Sequence, residues 1–134
     1  MIELTTPASI VQALMAPALI LMGASHIVQP ALWRGFFVHL HSLGPTGVVY
    51  RTFALELWPA LLILVLHPVW EGPGIALTIY GWLLAAKVTL SLLAPSIGLK
   101  SLSMAEGTSD AKWALAGVVL IALGGCCVWA LALG

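Results

Sequence analysis

The sequence predicts an all-α integral membrane protein, a bundle of four transmembrane helices. Of its 134 residues, 61% are hydrophobic and only 7% are charged, and the mean hydropathy is +1.09. A soluble domain has about a quarter charged residues, so this chain could not cover a water-facing surface with polar groups. The length allows one membrane domain over residues 1–134 and no separate soluble domain. The lipid bilayer is therefore the first predicted partner.

Four apolar runs are long enough to cross a bilayer. They cover about residues 8–28, 48–66, 75–94 and 112–133. Each has about the 20 residues that a helix needs for the hydrocarbon core, and a helix satisfies its own backbone polar groups in lipid. A Pro- and Gly-rich turn at residues 68–74 separates the second and third spans. Pro95 ends the third span, and residues 95–111 are predicted to form a loop.

Residues 30–43 predict a short amphipathic helix between spans one and two. At 100° per residue, Trp33, Phe37 and Leu40 share one arc, whereas Arg34 and His41 occupy the other. A helix of this kind lies in the headgroup plane at the membrane surface. It would either anchor the connection between the two spans or serve as a gate or docking surface for a partner.

The basic residues predict the orientation. Four of them lie on the side of the 29–47 and 95–111 connections: Arg34, Arg51, Lys100 and Lys112. The opposite side carries Glu71 and no Lys or Arg. The positive-inside rule then predicts a multi-pass protein of a bacterial inner or plasma membrane. Both termini would be outside, and the amphipathic helix and the 95–111 loop would be cytoplasmic.

Two charged residues fall inside apolar runs. Glu56 and Lys87 each lie about eight residues, or about 12 Å of helix, from the same side of the membrane. Charges at such depth normally face the bundle interior and find a partner, so adjacent antiparallel spans could pair them. Tyr80 and Ser91 share the helix face of Lys87. The pair would fix helix register, or it would bind and release a proton or cation, or Lys87 would instead extend to the interface.

Four histidines raise the question of a cofactor or metal. His26 lies near the inner end of span one, whereas His67 lies at the outer end of span two. This difference in depth argues against haem ligation by both histidines. A cluster of His26 with His39 remains possible, because the amphipathic helix must fold back beneath the bundle. No carboxylate or cysteine is placed to complete a metal shell, so no metal site is predicted. His26, His39, His67 and Gln12 are the candidate contacts of a ligand or cofactor of unspecified identity.

Spans one and four carry small residues that predict close helix packing. The stripe of span one that should face the bundle contains Gln12, Ala16, Gly23 and His26. Span four has two such faces, one with Gly117 and Gly124, the other with Ala122, Cys126 and Ala130. One face can pack inside the bundle, which leaves the other for a second copy or a foreign subunit.

These features predict a non-catalytic function. No nucleophile, acid–base pair or metal constellation is evident, so an enzyme is not expected and no catalytic residue is predicted. The chain would be an accessory or scaffolding subunit of a larger membrane complex, or a self-associating bundle. One alternative is a proton- or cation-linked transporter that uses Glu56 and Lys87, and another is a subunit that binds haem, a pigment or a quinone. The lack of a basic cluster gives no support for nucleic-acid binding.

Overall fold

The computed structural model describes residues 4–134, and within them every regular element is helical. The six helices are α1 (Pro7–Val28), α2 (Pro30–Ser42), α3 (Pro45–Leu66), α4 (Ile75–Leu93), α5 (Pro95–Glu106) and α6 (Asp110–Leu133). A 3-10 turn, Gly72–Gly74, leads into α4. Helices α1, α3, α4 and α6 are long and apolar enough to cross a membrane. The predicted fold class, a four-span helical membrane bundle with a short helix between the first two spans, is confirmed.

Proline and capping residues set the helix boundaries. A proline lies in the first turn of α1, α2, α3 and α5, where its missing N–H needs no partner. Thr6 and Ser9 form a reciprocal capping box at the start of α1. The hydroxyl of Ser109 accepts a hydrogen bond from the backbone N–H of Lys112 at the start of α6. Gly44 has a φ of +62° between α2 and α3, a conformation that favours glycine.

The four spans form two tightly packed pairs, α1 with α6 and α3 with α4. In the first pair, a Cβ atom on Gly23 would lie 2.4 Å from the carbonyl oxygen of Gly117. In the second, a Cβ atom on Gly81 would lie 2.2 Å from Ile63. The pairs meet in the half of the bundle nearer the termini, where Val11, Leu77 and their neighbours form the apolar core. Helix backbones approach this closely only through glycine or another small residue.

The predicted loop at 95–111 was wrong for most of its length, because residues Pro95–Glu106 form α5. This segment is rich in serine and only weakly apolar, which is why the sequence favoured a loop. Its Leu102 is 0% exposed and packs with Leu40 of α2 and Val48 of α3. A contact between His41 Nδ1 and Glu106 Oε1, 2.5 Å apart, also joins α2 to α5. Burial against α2 and α3 therefore stabilises α5, although the weak apolar pattern of this segment does not predict a helix.

The small-residue stripes lie as predicted. Gln12, Ala16, Gly23 and His26 of α1 are all buried. On α6, Gly117 and Gly124 are buried against α1, whereas Ala122 is exposed and Cys126 and Ala130 are half-buried. One face of α6 thus completes the bundle and the other faces outward.

Two glycines of α6 provide a matched test of the α1–α6 contact. An added Cβ at Gly117 would lie 2.4 Å from the Gly23 carbonyl oxygen, whereas one at Gly125 would meet nothing within 4 Å. Gly117→Ala should lower the free energy of unfolding by about 1–3 kcal/mol, as overpacking does. Gly125→Ala should be neutral or stabilising by up to about 1 kcal/mol, because alanine favours helix. Denaturant unfolding in detergent measures both, and equal effects would contradict this packing.

Candidate functional site

A charged cluster lies inside the bundle on the side away from the termini. Lys87 Nζ of α4 is 2.5 Å from Glu56 Oε1 of α3, and it donates a hydrogen bond to that oxygen. The Glu56 side chain is 10% exposed, whereas that of Lys87 is 43% exposed. The two residues that the sequence placed at matching depths are therefore in contact, and the ammonium remains the accessible partner.

Arg51 is the third member of the cluster, which was not predicted, because Arg51 was counted only among the basic residues on one side of the membrane. Its side chain is only 1% exposed, and Nε lies 3.6 Å from Glu56 Oε2. The guanidinium donates hydrogen bonds to the Ser91 hydroxyl of α4 at 3.2 Å and to the Ser101 hydroxyl of α5 at 3.3 Å. Arg51 thus joins three helices, and Ser91 contacts Arg51 in this arrangement.

A π-helical segment of α3, Thr52–Leu57, brings Arg51 and Glu56 to the same face. Residues five apart on an α-helix point about 140° away from each other, whereas the i→i+5 pattern of a π-helix stacks them. Pro59 lies two residues after this segment and cannot donate a hydrogen bond to the carbonyl of Leu55. Pro59 was therefore the one sequence signal of irregular backbone in this part of α3. It did not predict that Arg51 lies on the same face as Glu56.

The cluster faces a cavity of about 490 Å³ between the two helix pairs. The cavity lies where α1 diverges from α3 and α4, beyond the half in which the pairs pack together. Its walls are mainly apolar, and Glu56, Lys87 and Tyr80 supply most of the polar groups. Tyr80, which the sequence grouped with Lys87, is half-buried at this site. The charged cluster is therefore open to a space of small-molecule size.

An aromatic group forms another part of the cavity wall. The His26 ring stacks on Trp33 with centroids 4.3 Å apart, and Trp113 lies 5.5 Å away. His26 Nδ1 donates to the carbonyl oxygen of Met22 at 2.7 Å, and Trp33 Nε1 donates to the Ser25 hydroxyl at 2.9 Å. These contacts fix α2 beneath α1, so that Trp33 and Phe37 border the cavity.

A second polar group lies at the end of the bundle nearer the termini. Its Thr78 hydroxyl donates to the Val69 carbonyl oxygen at 2.6 Å and accepts from His67 Nδ1 at 3.0 Å. His67 Nε2 then accepts from the Gln12 side-chain amide at 2.8 Å. His67 lies directly after the last residue of α3 and is 0% exposed. Burial lowers the pKa of the His67 imidazole below its usual value. The neutral imidazole joins α1, α3 and α4.

The predicted histidine contacts are dispersed. His26 and His67 belong to the two separate groups, and His39 is exposed on α2. Among residues 4–134, no group of three or more His, Cys, Asp or Glu side chains is arranged to hold a metal ion. His39 lines a different cavity, of about 530 Å³, with Phe36 and Tyr50.

Comparisons with protein-family models, curated proteins and solved structures found no match to this chain.

Glu56 should be the most sensitive member of the cluster. Glu56→Gln leaves the guanidinium of Arg51 buried without a counter-ion, and breaking a buried pair in this way costs about 3–5 kcal/mol. Lys87→Met should cost less, because Glu56 keeps Arg51 and the Lys87 side chain was already 43% exposed. Unfolding of the two variants in the same detergent measures the difference. An equal or larger loss for Lys87→Met would show that Arg51 is not the main partner of Glu56.

Proposed function

We propose that this protein is a non-catalytic membrane bundle that acts by association, as a scaffolding or accessory subunit or with further copies of itself. The main support for this proposal is that the charged side chains within the membrane pair with one another and so connect helices. Both oxygens of Glu56 face basic groups, Lys87 at 2.5 Å and Arg51 at 3.6 Å. Arg51 also binds serines of two further helices. These charges are engaged in joining helices, as a structural role requires.

The same arrangement disfavours proton or cation transport through Glu56. Two cations beside one carboxylate oppose the approach of a third positive charge by electrostatic repulsion. A cationic substrate would have to displace Lys87 and would still face Arg51. The structural role of the cluster is therefore the simpler hypothesis.

The outward face of α6 is the surface through which we propose the bundle associates. Only 17% of the most apolar stretch of α6 is buried, against 33–39% for the other three spans. Small residues four apart, Ala122, Cys126 and Ala130, line this face. In lipid, such residues allow a neighbouring helix to approach closely, and van der Waals packing then stabilises the contact.

The surface charges support an orientation with both termini outside the cell and with α2 and α5 on the cytoplasmic side. Arg51 is buried inside the bundle and Lys87 lines the cavity, but Arg34, Lys100 and Lys112 remain near the membrane surface on the α2 and α5 side. The positive-inside rule favours the cytoplasm for that side. A periplasmic alkaline phosphatase fused after Gly134 should be active, and one fused within the α5–α6 connection should be inactive. The reverse pattern would contradict this orientation.

Adjacent cysteines allow a direct test of association through α6. Cys126 lies toward the outward face, whereas Cys127 is 1% exposed inside the bundle. Mild oxidation of native membranes should therefore cross-link the chain through Cys126. A product of about twice 14.1 kDa indicates self-association, and a product that contains another chain indicates an accessory role.

The matched controls are Cys126→Ser, which should abolish the product, and Cys127→Ser, which should leave it unchanged. Ala122→Cys places a second thiol on the same face. If neither the wild-type chain nor Ala122→Cys forms a cross-linked product, association through this face is contradicted. Dependence of the product on Cys127 rather than Cys126 would contradict it as well.

A further inference from the structure

We infer that the cavity between the two helix pairs binds a single-chain amphiphile with a monovalent anionic head group, such as a long-chain carboxylate, whose head group pairs with Lys87. The proposal is independent of how α6 associates. It rests on the charge balance of the cluster, the exposure of Lys87 and the shape of the cavity.

The charge balance favours an anion. The cluster contains two basic side chains, Arg51 and Lys87, and one carboxylate, Glu56. One positive charge is therefore left over at a depth where lipid surrounds the bundle, and a buried charge without a counter-ion is costly. A monovalent anion would balance it, whereas a cation would add to the excess.

Lys87 is the member of the cluster that can bind a ligand. Arg51 is 1% exposed and faces Glu56 and two serines. An ammonium group has three N–H donors, and among the described residues Lys87 donates to Glu56 Oε1. Its side chain is 43% exposed and lines the cavity. The remaining donors can therefore reach a head group placed there.

The rest of the cavity suits an alkyl chain. Its walls include Met15, Met22, Leu55 and Leu83, and methionine adapts to irregular apolar shapes. The volume of about 490 Å³ is within the range of small-ligand sites. Lys87 lies six residues, or about 9 Å of helix, before the end of α4. An amphiphile from the adjacent leaflet could therefore place its head group at Lys87 without crossing the membrane.

The test is photo-cross-linking of the full chain in phosphatidylcholine vesicles with a palmitic acid that carries a diazirine on its alkyl chain. A mildly alkaline pH keeps the carboxyl group ionised. Saturable labelling should map to the cavity walls in α1 and α4, and unlabelled palmitate should displace the probe. Lys87→Met should reduce saturable labelling about tenfold or more, the effect of losing a hydrogen bond to a charged group. Lys87→Arg and the exposed-lysine control Lys100→Met should retain it within about twofold.

A second variant keeps the test decisive if Lys87→Met does not fold. Ala18 lines the cavity on α1, so Ala18→Trp should narrow the cavity and should also abolish saturable labelling, whereas Ala86→Trp on an exposed face of α4 should not. Undiminished labelling of Lys87→Met, or of Ala18→Trp, would overturn the proposal. Displacement by hexadecanol as effective as by palmitate would overturn the anionic head group. Stronger displacement by phosphatidylglycerol would overturn the single-chain ligand.

Discussion

A guanidinium group with almost no exposed surface lies between three helices of this membrane bundle, and each of these helices supplies it with a polar partner. Arg51 meets Glu56 on its own helix, Ser91 on α4 and Ser101 on α5. A buried arginine without these partners would oppose folding strongly. The π-helical turn of α3 is what brings Arg51 and Glu56 together, so an irregular backbone segment sets the position of the charged cluster. Such segments are frequent at functional sites.

The two ends of the bundle use different interactions. Near the termini, the helix pairs pack through an apolar core and through neutral hydrogen bonds among Gln12, His67 and Thr78. At the other end they diverge, and charges, aromatic rings and the helices α2 and α5 fill part of the space between them. One end is therefore closed by packing, and the other leaves a cavity beside an accessible lysine. This asymmetry would allow one small bundle to combine the two proposed properties, association through packed helices and a site for an amphiphile.

Much of the architecture could be predicted from the sequence, because apolar length, proline position and small-residue spacing each have a direct physical consequence in lipid. Matching depth in antiparallel spans also placed Glu56 near Lys87. The sequence did not reveal Arg51, because its inward orientation depends on i→i+5 backbone geometry that periodicity at 100° per residue cannot represent. It did not reveal α5 either, because Leu102 is buried by residues of two other helices rather than by a strong apolar pattern of its own.

Arg51, rather than Lys87, makes Glu56 indispensable to the stability of the bundle. Two double variants in the same detergent test it most directly by their unfolding free energies. Glu56→Gln with Arg51→Met removes both deeply buried charges and leaves Lys87 at the cavity, so it should be more stable than Glu56→Gln alone. Glu56→Gln with Lys87→Met leaves Arg51 buried without a counter-ion, so it should remain as unstable as the single variant. Recovery of stability by the Lys87→Met combination and not by the Arg51→Met combination would show that Lys87, rather than Arg51, is the main partner of Glu56.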